Sequence, residues 1–107
     1  MPALRSSIEL HQPYEKFKPF SVSTSGSTAT TVLTVSDYMI EANKITIIVD
    51  RDDLYLNIGS DATTDGSSML VPAGTGYTEM GVSFNGTISI IRANQSNGRI
   101  IGAIWGR

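Results

Sequence analysis

The chain contains no cysteine and only one histidine, His11. Without cysteine there is no disulfide framework, no thiolate nucleophile and no Cys-ligated zinc. A nucleophile–base–orienter set needs a base held close to its nucleophile, and no serine motif accompanies the lone histidine. Charge is sparse as well: 17% of the 107 residues are charged, against the usual quarter. Eight Lys and Arg nearly balance ten Asp and Glu, and no basic residue lies between Phe20 and Asn43. Such a surface offers no stripe for phosphate backbones or anionic lipid, so neither nucleic acid nor a membrane is expected as a partner. No apolar run nears the ~20 residues of a membrane helix. The opening residues, MPALRSSIELHQ, lack the apolar core of a signal peptide. A soluble, cytosol-made protein without enzymatic activity or cofactor is the expectation.

What is present is a rhythm of period two. Phe20–Ser23, Thr30–Val35, Lys44–Asp50, Leu54–Ile58, Ser68–Val71, Gly76–Met80, Thr87–Arg92 and Arg99–Trp105 are short and rich in β-branched residues. Gly, Asn, Asp and Ser punctuate them. The pattern predicts an all-β fold: an antiparallel β-sandwich or small barrel of about eight short strands, jelly-roll-like. Arg51-Asp52-Asp53 and Asn85-Gly86 read as tight hairpin connections. Pro72-Ala73-Gly74 reads as a turn between two short strands. Asp37–Asn43 offers either a short helix or a bulky loop. The chain divides into residues 1–19, an extended N-terminal arm rich in proline, and residues 20–107, a single β-sandwich domain.

Several side chains are candidates for contact or chemistry. Ile8, Leu10 and Tyr14 give the arm three apolar contacts for a neighbouring subunit. Lys44–Asp50 and Arg99–Trp105 are apolar on both faces, which makes Ile48, Ile100 and Ile104 surplus to one core and candidates for an interface. Tyr55 alternates with Leu54 and Leu56 and should point away from their face. Tyr55, Tyr77, Phe84 and Trp105 are candidates for a sugar- or base-stacking surface, although aromatics of a small β domain more often fill the core. Asp50, Asp52 and Asp53 form a weak candidate for a hard cation, although turn-forming aspartates explain the cluster better. Glu41 and Glu79 stand alone. The Ser/Thr/Asp-rich connection after Ile58 looks like one that orders backbone.

The segment LYLNIGSDATTDGSSMLVPAGTG, with its terminal TISIIRANQSNGRIIGAIWGR, resembles small tailed-bacteriophage virion structural proteins. Over roughly Lys44–Arg107 it shares their order of strand, polar loop, V-P-A-G turn and terminal hairpin. The resemblance implies a capsid decoration (cement) protein of the virion. Such a protein would form a homo-oligomer on the particle and bind the major capsid protein or another virion protein. A carbohydrate- or receptor-binding module of a tail or fibre is the alternative it implies. No functional residue is carried over by this pattern.

Overall fold

Eight strands build the structure: β1 (Lys16–Ser23), β2 (Thr30–Thr34), β3 (Ala42–Arg51), β4 (Leu54–Ile58), β5 (Met69–Val71), β6 (Gly76–Phe84), β7 (Thr87–Arg92) and β8 (Arg99–Gly106). This computed structural model describes residues 14–107. The strands form two antiparallel sheets of four, ordered β1-β8-β3-β6 and β2-β7-β4-β5. Of the links between consecutive strands, only β4–β5 stays within one sheet. Every other link crosses to the opposite sheet, which makes the fold a jelly-roll sandwich.

That topology corrects two turn readings. Asn85-Gly86 joins β6 to β7, which belong to different sheets, and Gly86 is absent from the positive-φ residues. It is a corner. Val35 N–H donates to the Gly86 carbonyl (2.8 Å) and Ser36 N–H to the Asn85 carbonyl (3.2 Å), tying the corner to the 3-10 turn Val35–Asp37. Arg51-Asp52-Asp53 likewise carries β3 of the first sheet into β4 of the second, with Asp52 at φ 50°. Aspartate tolerates that conformation because its short side chain hydrogen-bonds locally. Pro72-Ala73-Gly74 is a crossing as well; Gly74 sits at φ 85° and its N–H reaches the Val49 carbonyl. Turn chemistry was legible at each place, but the sheet that the next strand joins is a long-range property.

The core lies between the sheets. Ile45, Ile47, Val49, Leu54, Leu56, Ile88, Ile90, Ile100 and Ile104 form its centre, and Leu33, Val35, Met39 and Val71 close it. Burying an aliphatic side chain of this size contributes about 1.5–3 kcal/mol. Ile100 and Ile104 are therefore core residues, fully buried, not the surplus face of β8. Because β8 is apolar on both faces, its parity is undecided until it pairs. Ile100 stands opposite Val22 and Val49, and Ile104 opposite Ile45. The outward set is Ile101, Ala103 and Trp105, so Trp105 is outside the core.

Strand β1 begins at Lys16, so Lys16–Pro19 belong to the sheet rather than to an arm. Pro19 is accommodated because β1 is an edge strand. Ile8, Leu10 and His11 lie outside the described residues. The Asp37–Asn43 stretch contains only the end of the 3-10 turn before β3 starts at Ala42.

Candidate functional site

Strand β6 is an edge strand, and its sequence is interrupted by Gly81 at φ 73°. Its pairing with β3 shifts register here: Lys44 faces Met80, whereas Ala42 faces Phe84. The extra residues form a bulge, held by Asn43, whose Nδ2 donates to the Val82 carbonyl (2.9 Å) and to Glu41 Oε2 (2.8 Å). A bulge re-aims side chains. Before it, Tyr77 and Glu79 stand opposite Ile47 and Ile45, on the inward face. After it, parity changes and Val82 and Phe84 take the same side. The outcome is a cleft of ≈ 470 Å³ lined by Ile45, Ile58, Tyr77, Glu79, Val82, Ser83 and Phe84.

The walls of this cleft are mostly apolar, with Ser83 and one hydrogen-bonded polar pair. Tyr77 Oη donates to Glu79 Oε2 at 2.8 Å. Partial burial, then the bond to Glu79 and its negative charge, push the Tyr77 phenol up to about 12. The phenol therefore remains a proton donor across ordinary pH. A carboxylate has about four lone-pair sites, so the Tyr77 bond leaves Glu79 able to accept from a second donor. Sequence alone offers Tyr77 and Phe84 either to a stacking surface or to the core, and leaves Glu79 isolated. The available signal was Gly81 inside a strand, the mark of a bulge.

The aspartate cluster is occupied by structural work. Asp50 is paired with Arg99 through Nε (3.0 Å) and Nη2, which holds its carboxyl below the usual range. Asp53 accepts from the Ala73 N–H at 2.8 Å. Asp52 occupies the corner. Among the described residues no group of three His, Cys, Asp or Glu is placed to hold a metal ion. Asp52 and Asp53 thus serve the corner between β3 and β4, and Asp50, still on β3, is held by Arg99.

Tyr55 is partly exposed between the buried Leu54 and Leu56, opposite Leu70 and Ile91. Ile48 is 45% exposed on the outer face of the first sheet. Tyr14 borders a shallow recess with Glu15, Glu41, Val82 and Arg107. These three do not converge with Ile100 and Ile104 on one surface. The loop from Gly59 to Ser68 is ordered by Asp65, which accepts from Thr63 Oγ1 (2.6 Å), Ser67 N–H (3.0 Å) and Ser67 Oγ (2.7 Å). Those bonds hold the Asp65 carboxyl at about 2.

No family model and no curated protein matches the sequence. Solved structures do match the fold. The Cupin_2 domain of an XRE family transcriptional regulator from Enterobacter cloacae aligns with TM-score 0.56 at 13% identity, covering 88% of each chain. A double-stranded β-helix protein from Klebsiella pneumoniae gives 0.56 at 6%, covering 89% of this chain and 71% of that one. The iron(II) form of HppE gives 0.55 at 13%, over 83% of this chain and 42% of that one. An iron centre asks for imidazole and carboxylate ligands around one point. The described residues contain no histidine and do not fit one. The virion resemblance is overturned here. The neighbours are cupin and double-stranded β-helix proteins, so capsid decoration, the tail or fibre receptor module and the virion location are all withdrawn. What the likeness establishes is a cupin-like jelly-roll fold.

Proposed function

We propose that this chain is a non-catalytic binding domain that takes a small, largely apolar molecule bearing an ammonium group in the cleft between β6 and β4. The observation that carries the reading is the bulge at Gly81, which turns Tyr77, Glu79, Val82 and Phe84 toward one apolar-walled recess. Recesses of this size, mostly apolar with a few convergent polar groups, are the usual form of small-molecule sites. Glu79 supplies the negative charge and Tyr77 orients it. A carboxylate beside apolar walls selects a cation with a hydrophobic body over an anion of the same shape. What supports binding over chemistry is that no imidazole or thiol accompanies Ser83 among the lining residues.

The test is amide chemical-shift mapping with benzylammonium and benzoate at matched concentrations. Benzylammonium is expected to move the Tyr77, Glu79, Ser83 and Phe84 resonances at millimolar or lower concentration, and benzoate to leave them in place. Shifts elsewhere on the molecule, or equal responses to both probes, overturn the reading.

A further inference from the structure

The two sheets differ in what lies over their outer faces. On the second sheet the Gly59–Ser68 loop folds back: Ala62 is buried and its N–H donates to Ser89 Oγ, itself buried on the outer side of β7, at 2.9 Å. On the first sheet no described residue plays that part. Phe17 is 58% exposed, Met80 61% and Ile48 45%, and Pro19, Ile101 and Trp105 share the face. Phe17 stacks on Trp105 with ring centroids 5.3 Å apart, and Lys44 Nζ lies 4.5 Å from the same indole.

The polar residues on this face are arranged about a line. Phe20, Gly102, Ile47 and Tyr77 are direct partners across all four strands. On β3, Lys44 and Asp50 lie equally far to either side of Ile47 in sequence. On β8, Trp105 and Arg99 lie equally far to either side of Gly102. A two-fold axis in the plane of the contact, along that line, exchanges the members of each pair. It sets Lys44 over Asp50 of the second copy and Trp105 over Arg99 of the second copy, cation against anion and guanidinium against indole face. Phe17 and Pro19 then meet Ser23 and Ser21, and Ile48 meets Thr46. A two-fold contact must be self-complementary, and this face meets that condition in charge.

We infer that the outer face of the β1-β8-β3-β6 sheet binds a second copy of this chain, as a face-to-face dimer about the Phe20–Gly102–Ile47–Tyr77 line. Four strands ~4.8 Å apart and about seven residues at ~3.3 Å each give a patch of about 19 by 23 Å. Two such patches bury on the order of 1,000 Å² together, the lower bound of specific interfaces. The dimer is therefore a reversible one, formed as concentration rises, with the sheets packed at the small angle usual for aligned sheets. It leaves the cleft lined by Tyr77 and Glu79 on the opposite side of the sheet and does not depend on ligand binding there.

Trp105 is the single tryptophan and reports on this face directly. The full chain should be followed by sedimentation and by Trp105 emission from about 1 µM to 1 mM, the range of weak interfaces. The expected result is a monomer–dimer transition with the emission moving to shorter wavelength in step. Ile48→Lys, a change at an exposed site, should weaken dimerisation at least tenfold while far-UV circular dichroism stays unchanged. Carbodiimide coupling should join Lys44 to Asp50 in the dimer band, a link that about 20 Å of strand forbids within one copy. A monomer at every concentration overturns the inference. Its emission then identifies the alternative: long-wavelength if the face is bare, short-wavelength and concentration-independent if residues 1–13 cover it. A dimer that Ile48→Lys leaves intact, or that couples other pairs, overturns it equally.

Discussion

Replacing Ile104 by Ala tests which face of β8 is the core. Ile104 is fully buried between the sheets, opposite Ile45. The change removes about three methylene equivalents at ~0.8 kcal/mol each, or about 2.4 kcal/mol of transfer. Neighbours on two facing sheets collapse poorly into the space, which adds about 1 kcal/mol for the cavity. The expected cost is about 3.5 kcal/mol, a large share of a domain's 5–15 kcal/mol. Melting should fall by roughly 15–20 °C. Ile48→Ala is the control: a neighbouring strand, the same chemistry, but 45% exposed with open space outside. It should cost about 1 kcal/mol or less. Urea unfolding followed by far-UV circular dichroism, at concentrations dilute enough for a monomer, gives both numbers. Should Ile104→Ala not fold, Ile100→Val carries the same test at about 0.5–1.5 kcal/mol. Equal costs at positions 104 and 48, or a larger cost at 48, would refute the assignment of faces.

Other consequences are as direct. A Cβ at Gly98 would lie 2.8 Å from the carbonyl oxygens of both Arg51 and Asp52, which belong to another corner; Gly98→Ala should cost about 2 kcal/mol or more by thermal melting. At Gly86 the nearest atom is the Phe84 ring edge at 3.0 Å, which can shift, so Gly86→Ala should cost about 1 kcal/mol or less. Asp65 has its carboxyl lowered from 3.8 to about 2 by its bonds from Thr63 and Ser67. The order it lends to the Gly59–Ser68 loop is thus fully present above pH ~4 and is lost as pH falls from there through 2. Amide exchange at Ala62, Thr63 and Ser67 should accelerate across that window, and Asp65→Asn should flatten the dependence.

How far the fold could be read in advance varies along the chain. Leu54–Ile58 alternates cleanly between turn signals, Thr87–Arg92 does so as far as Ile90, and both are strands with those bounds. Where both faces of a strand are apolar, as in β8, periodicity finds the strand and leaves its parity open, because a one-residue shift exchanges the faces. Asn85-Gly86 carries hairpin chemistry yet turns a corner between sheets; nothing local distinguishes the two. The cleft was hidden for a related reason. The expected strand Gly76–Met80 stops short of Val82 and Phe84, which only the Gly81 bulge brings to the side of Tyr77 and Glu79. The virion resemblance failed because an order of strands and turns is shared by jelly rolls of many functions. Fold-level likeness of any kind leaves function to the site.

The most direct measurement of the central claim compares the affinity of the wild-type chain and Glu79→Gln for two probes, benzylammonium and benzyl alcohol, by titration calorimetry or amide shifts. The variant keeps the shape of the cleft and a hydrogen-bond acceptor for Tyr77 while removing the charge. Hydrogen bonds to charged groups contribute about 1.5–3 kcal/mol when buried, and Glu79 is exposed, so the loss is smaller here. Benzylammonium should bind the variant several-fold more weakly, and benzyl alcohol should bind both chains about equally. Equal affinities of the two chains for benzylammonium, or equal losses for both probes, would contradict a site built around the Tyr77–Glu79 pair.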